Sequence, residues 1–461
     1  MDEFLKSTYC SLFKYWILGQ KIKSCSIVLK DDHHIILQSS KCQGEIFFQP
    51  MDIVELKIRN LIHHKDEFYL HFQMNNLKHA IQLFHEMKEC IEQLENRKSI
   101  KVLLSCSGGM TTSYFAELLN EASQILNLDI HVEAVAYSQI YNVIDNYDIV
   151  FLAPQISYLL SNVKQYSKTV LAFSIPSQIF AKYDTKAFID LIINEISKKK
   201  VAEKVTVHIK RKAKKQKSIL CLSIFRDKKR IHILYRYYDQ YQNLILDNEI
   251  IKLKISIQDI SDIIRYVIAS YQNLDIIAIS TPGFITKKGM LVSTYLNGLD
   301  NCYIYDLLHK DFKQDIYVYN DVNSAAAGYY ASQKQYENLA FIFQPVNHYP
   351  GAGIIVNGQL IKGHANLAGE IQYASRHLVK EYFSSNKTSQ EILDILVNDI
   401  LTIVSVVDSE IILIYTELID QINELKRELL KVLPSDTLPT IQKIKSINEY
   451  ILIGLFHLCL G

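Results

Sequence analysis

An apolar segment from Lys101 to Ser105 runs directly into Cys106 and a pair of glycines, and a helix-like segment follows from Tyr114. This strand–loop–helix order constrains the fold strongly, because the N–H groups of the loop then lead into the N-terminus of a helix. The positive end of the helix dipole favours an anion there and lowers the pKa of a nearby thiol. The sequence therefore predicts a loop that cradles a phosphate, with a cysteine nucleophile at its centre.

The loop contains the donors that such chemistry needs. Its glycines let the backbone curl, and its hydroxyl side chains lie where phosphate oxygens would bind. It has no Arg or Lys to clamp a transferring phosphoryl group, so it suits holding and passing on that group better than rapid hydrolysis. A plainer alternative stays open, in which Cys106 is a buried apolar thiol and Thr111 caps the helix. The predicted phosphate-binding residues are Ser107, Gly108, Gly109, Met110, Thr111, Thr112 and Ser113.

Residues 101–198 resemble the enzyme IIB component of the lactose/cellobiose-type sugar phosphotransferase system. That family carries a phosphocysteine in a C-x-x-G-M-[ST]-T-S loop, which Cys106 to Ser113 match in place, and a second matching segment runs from Asp148 to Gln155. The resemblance implies that Cys106 accepts a phosphoryl group from a phosphohistidine on a IIA-type partner. The segment from Phe173 to Tyr183 lacks the family's acidic, glycine-bearing loop, so the resemblance does not extend to a contact with sugar.

The composition indicates a folded cytoplasmic protein of several domains. The chain has 461 residues, of which 49% are hydrophobic and 21% charged, and its net charge is +1. This length exceeds one ordinary core, and the charge gives no argument for binding nucleic acid or a membrane. No apolar run is long enough to cross a bilayer, and the N-terminus lacks a secretory signal pattern. Scattered cysteines are typical of reduced thiols in a cytoplasm.

Strand and helix patterns divide the chain into three domains and a linker. The pattern of residues 1–96 predicts a small antiparallel sheet closed by a helix. The sequence assigns no role to this domain. Residues 101–198 alternate strand and helix, which predicts a parallel sheet covered by helices. Residues 199–217 form a basic linker, since ten Lys or Arg lie between Lys198 and Lys217. A nucleic-acid-binding arm is the less favoured alternative, because no aromatic side chain is interleaved.

Residues 218–461 resemble the ROK family of sugar kinases and sugar-responsive repressors, whose fold is actin-like and two-lobed. The resemblance implies that Asp321 is the base that deprotonates a sugar hydroxyl and that Asn297, Asn320 and Glu370 bind other hydroxyls. A helix N-cap is the alternative explanation of Asn320 and Asp321. A sugar or sugar phosphate ligand and a homodimer through this domain are further expectations. The motifs that carry the resemblance are Thr281-Pro-Gly283, Asn320-Asp321, Gly351-Ala-Gly353 and Ala368-Gly-Glu370.

The nucleotide-binding motifs of that family are missing at three places. Its Asp-x-Gly-Gly-Thr turn aligns with Ser223-Ile-Phe-Arg-Asp227, its second phosphate loop with Gln344 to Pro350, and its adenosine-contacting Gly-Gly with Ile414-Tyr-Thr-Glu417. Bulky side chains and prolines there fill space and remove the N–H donors that phosphates need. The family's zinc-binding His is Tyr373 here. We therefore expect no use of ATP, no cofactor and no structural metal.

These features predict an α/β multidomain chain with a small α+β N-terminal domain, a parallel-sheet IIB-like domain and an actin-like two-lobed domain. They predict a cytoplasmic, phosphotransferase-linked regulator, in which Cys106 accepts a phosphoryl group and a ROK-like domain senses a sugar or supports dimerisation. Asp321 would then be a vestigial base. Two alternatives stay open: an ATP-dependent sugar kinase with divergent phosphate loops, and a nucleic-acid-binding repressor that uses the basic linker and the first domain.

Overall fold

The structure is a computed structural model of the 461-residue chain. Two predicted features lie outside the residues that it describes: Asn297, and the basic linker except for Lys217. The described residues are 3–61, 65–95, 100–125, 128, 130–166, 170–197, 217–227, 230–271, 273–293, 296, 298–333, 335–345, 348–374, 389–416, 418–419 and 422–460.

The N-terminal unit is an antiparallel meander with a helix at each end. Its elements are α1 (Glu3–Leu18), β1 (Cys25–Asp31), β2 (His34–Ser39), β3 (Cys42–Gln49), β4 (Ile53–Asn60), β5 (Asp66–Gln73) and α2 (Leu77–Glu95). Side chains of β3 alternate between buried and partly exposed, as expected of a sheet covered on one face. Both helices pack on the covered face, where Phe13 of α1 meets Phe84 of α2 edge-on with ring centroids 6.5 Å apart.

Residues 100–197 form a four-stranded parallel sheet covered by helices on both faces. Its elements are β6 (Ile100–Cys106), α3 (Met110–Ile125), β7 (Ile130–Ala136), α4 (Ile140–Val143), β8 (Ile149–Leu152), α5 (Leu160–Tyr166), β9 (Leu171–Ser174), α6 (Ser177–Lys182) and α7 (Thr185–Ser197). The strand order is β7-β6-β8-β9. Every residue of β8 is buried, which explains its unbroken apolar sequence. Each face has its own hydrophobic core, built from residues of this segment.

The rest of the chain forms two lobes. The first contains β10 (Ile219–Arg226), β11 (Ile231–Tyr238), β12 (Leu244–Lys252), α8 (Ile257–Tyr271), β13 (Ile276–Thr281), β14 (Phe284–Ile285), β15 (Leu291–Val292), α9 (Ile304–His309), β16 (Asp315–Asn320) and α10 (Asp321–Gln333). The second contains β17 (Leu339–Gln344), β18 (Gly351–Val356), β19 (Gln359–Leu360), α11 (Ser389–Val407), β20 (Ile411–Thr416), α12 (Ile422–Leu429), β21 (Thr440–Lys443) and α13 (Asn448–Leu460).

The two lobes repeat one topology. Their sheets have the orders β12-β11-β10-β13-β16 and β19-β18-β17-β20-β21. In each sheet the first three strands of the chain are antiparallel, and the last two add on in parallel. Such a duplicated α/β lobe is the actin-like arrangement, so the predicted α/β multidomain fold is confirmed. None of the described helices is long and apolar enough to cross a membrane.

The N-terminal unit and the first lobe share one sheet. Ile251 of β12 pairs with Tyr69 of β5, so ten strands follow in the order β1-β2-β3-β4-β5-β12-β11-β10-β13-β16. One buried hydrophobic cluster extends from Phe13 in α1 to Ile316 in β16. The strand pattern of residues 1–96 did not predict this junction. Residues 100–197 are therefore inserted in the chain between two parts of one folded body, called the composite body below.

Charged side chains also cross the junction. Arg230, which follows the turn after β10, donates from Nε to the Glu67 main-chain oxygen at 2.9 Å and from Nη2 to the Glu67 carboxylate at 3.3 Å. Lys252 is 2% exposed and lies between Asp259 of α8 and Glu86 of α2, with its ammonium 3.2 Å from the Glu86 carboxylate. Buried charges are tolerated only when paired, so these contacts hold β5 and α2 against the first lobe.

Helices α10 and α13 join the two lobes. A Cβ atom at Gly328 of α10 would lie 1.8 Å from the Tyr450 main-chain oxygen, and one at Gly454 of α13 would lie 1.8 Å from that of Ser324. The two helices can cross this closely only because neither glycine has a side chain. The core around them combines residues of β10 and β13 in the first lobe with residues of β17 and β20 in the second.

Candidate functional site

Cys106 is the last residue of β6 and lies at the carboxyl edge of its parallel sheet, where ligands of such sheets bind. Gly109 has a φ of +85°, a left-handed conformation that turns the loop into α3. The Gly109 N–H donates to Cys106 Sγ at 3.0 Å, and the Thr112 hydroxyl donates to the same sulfur at 3.3 Å. The loop thus directs N–H and O–H donors at the thiol.

These donors change the acidity of Cys106. Burial of this thiol, which is 3% exposed, acts to raise its pKa, but hydrogen bonds from Thr112, Gly109 and Gly108 outweigh burial and hold the pKa below the usual value. The Thr112 hydroxyl has one proton and also contacts the Gly109 carbonyl at 2.9 Å, so the backbone donors are the more constant ones. Burial instead raises the pKa of Cys90 to about 12. The pKa of Cys106 is thus shifted in the opposite direction from that of Cys90.

The other predicted loop residues form the rim of this site. Ser107, Gly108 and Thr111 are exposed, and Met110 is 86% exposed. The Ser113 hydroxyl donates to the Gly109 carbonyl at 2.9 Å and so closes the loop rather than pointing at the sulfur. No residue of the loop itself, residues 106–113, is charged.

The sequence pattern did not predict a tyrosine cluster beside the loop. Ala136, which pairs with Cys106 across β6 and β7, is followed by Tyr137, whose hydroxyl lies 2.6 Å from that of Tyr141. The ring of Tyr166 lies 4.6 Å from that of Tyr141. The spacing of Tyr137 and Tyr141 by four residues was the available signal, because it puts both rings on one side of a helical turn.

Asn320 and Asp321 lie where β16 ends and α10 begins. The Asn320 side chain accepts a hydrogen bond from the Asn323 N–H at 2.9 Å and donates to the Gly283 carbonyl at 2.8 Å. The alternative of a helix N-cap therefore describes Asn320. The Asp321 carboxylate accepts a hydrogen bond from its neighbour, the Val322 N–H, at 2.9 Å.

Two predicted sugar-binding carboxyl groups act on each other. Burial raises the pKa of Asp321 to about 7, the Val322 N–H lowers it in part, and the charge of Glu370 raises it further. Burial also raises the pKa of Glu370, offset in part by a hydrogen bond that the Gln372 side chain donates at 2.7 Å. The charge of Glu370 thus acts on Asp321 at the start of α10. A carboxyl group with a pKa near neutrality is suited to proton transfer.

The turn that aligns with the family's first phosphate loop is closed on itself. The Arg230 N–H donates to the Asp227 carboxylate at 2.6 Å, and the Asp227 N–H donates to the Arg230 carbonyl at 3.0 Å. The ring of Phe225 stacks on that of His232, with centroids 4.8 Å apart. Two N–H groups that could contact a phosphate are therefore already used, and an aromatic pair lies across the two strands next to the turn.

Side chains also make internal contacts in the segments that align with the family's second phosphate loop and its adenosine-contacting Gly-Gly. The Gln344 side chain donates to the carbonyls of Pro345 and His348 at 3.2 and 3.1 Å, so it holds the ends of the second loop together. Tyr415, in the third place, packs against Phe343 with ring centroids 5.3 Å apart. Tyr373, at the family's zinc-binding position, is 57% exposed. In the part of the chain that the structure describes, no three His, Cys, Asp or Glu side chains are grouped to hold a metal ion.

Two parts of the chain match protein families. Residues 101–191 match the family described as PTS system, Lactose/Cellobiose specific IIB subunit, and residues 249–377 match the ROK family. The chain therefore contains a phosphotransferase-system IIB domain and a ROK domain, and both resemblances found in the sequence are confirmed. The search of curated proteins gives no match.

The solved structures similar to the chain include members of both families. A ROK family protein from Streptococcus pneumoniae TIGR4 in complex with sucrose is 15% identical over 52% of this chain and 96% of that one, with a TM-score of 0.41. A ROK family transcriptional regulator, a homologue of the E. coli MLC protein, is 15% identical over 66% and 94%, with a TM-score of 0.40. The lactose-specific IIB component domain from Streptococcus pneumoniae is 20% identical over 21% and 97%, with a TM-score of 0.20.

Proposed function

We propose that this protein is a regulator linked to the phosphotransferase system. Cys106 accepts a phosphoryl group from a IIA-type partner, and the ROK domain senses a sugar without phosphorylating it from ATP. The observation that carries the proposal is the acidified sulfur of Cys106, which accepts hydrogen bonds from the Gly109 N–H and the Thr112 hydroxyl. The match of residues 101–191 to IIB subunits supports the same role.

The transfer is a displacement at phosphorus. The Cys106 thiolate attacks the phosphorus atom of a phosphohistidine on the partner, a P–S bond forms, the P–N bond breaks, and the imidazole nitrogen keeps the electron pair. Loop N–H and O–H groups bind the phosphoryl oxygens in the transition state. The rim of the site has no charged residue, so no cation of this rim assists attack by water. The phosphoryl group therefore stays on sulfur until an acceptor is docked.

The occupied phosphate loops support a ROK domain that does not use ATP. Asp227, Arg230 and Gln344 use polar groups of these loops within the protein. Three changed loops remove the cradle that a nucleoside triphosphate needs, whereas Asp321 is kept as a buried carboxyl group whose pKa the charge of Glu370 helps to raise. The domain then keeps a ligand site and lacks a phosphoryl donor.

The position of the IIB domain supports a regulatory link. Phosphorylation adds about −1.5 to −2 charges to the uncharged rim. The domain is inserted in the composite body, and α2, its neighbour in the chain, is fixed to the first lobe by the Glu86–Lys252 pair. A change in how the phosphorylated domain docks would therefore act on the composite body through both of the chain segments that connect them.

The carrier role is tested with a phosphorylated IIA-type protein carrying radiolabelled phosphate. Wild-type protein should take up label in a form sensitive to iodine, as expected of a phosphate on sulfur, and Cys106→Ser should take up none. Cys90→Ser, which removes a buried thiol of raised pKa, is the matched control and should be labelled like wild type. Absence of label on wild type, or equal label on Cys106→Ser, would reject the carrier role.

An ATP-dependent sugar kinase is the second candidate, because Asp321 keeps a position and a pKa suited to a catalytic base. A coupled assay for ADP with a panel of hexoses tests it, with Asp321→Asn as the control. We expect no turnover above the Asp321→Asn background. Turnover that depends on Asp321 would show that the altered loops still bind ATP.

A further inference from the structure

The first strand of the N-terminal meander has an unpaired edge. β1 pairs with β2 along one edge and is the last strand at its end of the ten-stranded sheet. Along the other edge, the described residues supply only an isolated bridge between Ile22 and Cys25. An edge strand presents a row of main-chain N–H and C=O groups that can pair with another chain. β1 is thus a place where one more strand can extend the sheet.

The centre of β1 is apolar on both of its faces. Neighbouring side chains of a strand point to opposite faces, and Val28 and Leu29 are 54% and 42% exposed. Edge strands are commonly protected by charged side chains or proline, whereas the centre of β1 reads Ile27-Val-Leu29. A helix or a flat surface that lay on one face of the sheet would cover only one of the two exposed side chains. A strand added at the free edge contacts both.

Helix α1 extends the apolar surface on one face of the sheet. The Lys14 ammonium group donates to the main-chain oxygen of Asp32, the residue that follows β1. Leu18 is 38% exposed and comes four residues after Lys14, so it lies on the side of the helix that faces β1. Ile27 packs against the hydrophobic core that α1 covers, and Leu29, two residues later, points to the same face. Leu18 and Leu29 therefore add to one apolar edge on the covered face.

The charges around β1 favour a second copy of this chain as the added strand. Exposed lysines precede the strand, and exposed aspartates lie at its end and just beyond it: Lys21, Lys23, Asp31 and Asp32. In an antiparallel pair of two copies the basic end of one strand meets the acidic end of the other, whereas a parallel pair would bring like charges together. With Val28 opposite its own copy, Ile27 lies opposite Leu29, and Lys23 comes within reach of Asp32. The strand is therefore complementary to itself.

We propose that the protein forms a homodimer in which β1 pairs antiparallel with β1 of a second copy, with Val28 on the two-fold axis. Both copies use the same edge, so the pairing closes after two chains. The axis is perpendicular to the joined sheet, which puts Leu18 and Leu29 of both copies on one face and Val28 of both copies on the other. Neither Cys106 nor the ROK domain takes part. This interface is therefore separate from the predicted dimer through the ROK domain and goes beyond the proposed function.

Sedimentation equilibrium of the full-length protein at micromolar concentration tests the dimer. Val28→Lys puts two positive charges opposite each other on the axis, and it should weaken association at least about tenfold. The wild-type particle should then have twice the mass of the Val28→Lys particle. Val406→Lys, at a valine of α11 that is 80% exposed, is the matched control and should associate like wild type.

An exchange of charges tests the direction of the pairing. Lys23→Glu faces Asp32 of the other copy at both ends of the interface and should weaken association about 2- to 10-fold. Asp32→Lys should do the same, and the double variant Lys23→Glu/Asp32→Lys should regain the wild-type affinity. Asp32 is the better choice for this exchange than Asp31, whose carboxylate accepts a hydrogen bond from the His33 N–H at 2.8 Å and holds the turn.

Cross-linking tests the same axis without a charge in the strand. Opposite residues of an antiparallel pair have Cα atoms about 4.5–5.5 Å apart, which a disulfide spans. Val28→Cys should therefore form an interchain disulfide under mild oxidation, well above the wild-type level, and Val406→Cys should not. Equal masses of the wild-type and Val28→Lys particles, no disulfide in Val28→Cys, or a double charge variant that associates more weakly than both single variants would each overturn the dimer.

Discussion

Ile251 of β12 pairs with Tyr69 of β5, and this antiparallel pairing joins the N-terminal meander to the first lobe of the ROK domain. The two residues lie on opposite sides of the IIB domain in the chain. The protein is therefore a composite body with a phosphotransferase domain inserted into it, rather than three domains in a row. Both ends of the inserted domain lead into the same hydrophobic core.

The shared sheet predicts that the two ends of the chain stay together after cleavage. A recognition site for a specific protease, placed between residues 200 and 215, would separate the N-terminal unit and the IIB domain from the lobes. The fragments should elute together on size exclusion and separate only in denaturant, because the junction contains a hydrophobic core and buried ion pairs. Separation under native conditions would show that the junction does not hold.

The buried ion pairs at this junction predict that substitution of Lys252 strongly lowers the free energy of unfolding. Lys252→Ala leaves Glu86 and Asp259 without their buried cation, and it should reduce the free energy of unfolding by about 3–5 kcal/mol. Lys254→Ala removes an exposed partner of Glu89 and should cost less than about 1 kcal/mol. Urea denaturation of both variants measures the difference. Equal free energies of unfolding for the two variants would mean that the ion pairs of Lys252 stabilise the protein no more than the pair of Lys254 with Glu89.

The loop geometry predicts the reactivity of Cys106. Thr112→Val removes the hydroxyl that contacts Sγ at 3.3 Å, so the pKa of the thiol should rise and alkylation by iodoacetamide at pH 7 should slow by about 3- to 10-fold. Thr111→Val, at an exposed neighbouring position, is the matched control and should react like wild type. The rate is measured against pH for each variant. An unchanged pKa in Thr112→Val would assign the acidity to the backbone donors alone.

The buried carboxyl group of Asp321 predicts a dependence of stability on pH. Its pKa is raised to about 7 in the folded protein from about 4 in the unfolded chain. The neutral folded form is therefore favoured at low pH, and the stability it contributes is lost as the pH rises from about 4 through 7. The side chain of Asp321→Asn cannot ionise. The free energy of unfolding of this variant, relative to wild type, should therefore grow over this range by about 3–4 kcal/mol and then stay constant. A difference independent of pH would contradict the raised pKa.

Local patterns were enough to predict the strand–loop–helix geometry around Cys106. A strand, a glycine pair and a helix are consecutive in the chain, so the placement of Cys106 beside the Gly109 N–H follows from short-range geometry. The pairing of Tyr69 with Ile251 could not be predicted in this way, because nothing local specifies which edge strand meets which across an inserted domain.

Asn320 shows why a motif alone could not settle the sugar site. Asn320 and Asp321 match the family motif and also lie at the start of α10. In the structure the Asn320 side chain caps the N-terminus of this helix. The resemblance had assigned Asp321 and Glu370 to one sugar site, but only the folded structure shows that burial and the charge of Glu370 raise the pKa of Asp321.

Phosphate should enter this protein on the sulfur of Cys106. Intact-mass spectrometry after incubation with a phosphorylated IIA-type protein measures this. We expect one added phosphoryl group of about 80 Da per chain, located by fragmentation to the peptide that contains Cys106 and absent from Cys106→Ser. An unmodified mass, or a phosphoryl group on any other residue, would contradict it.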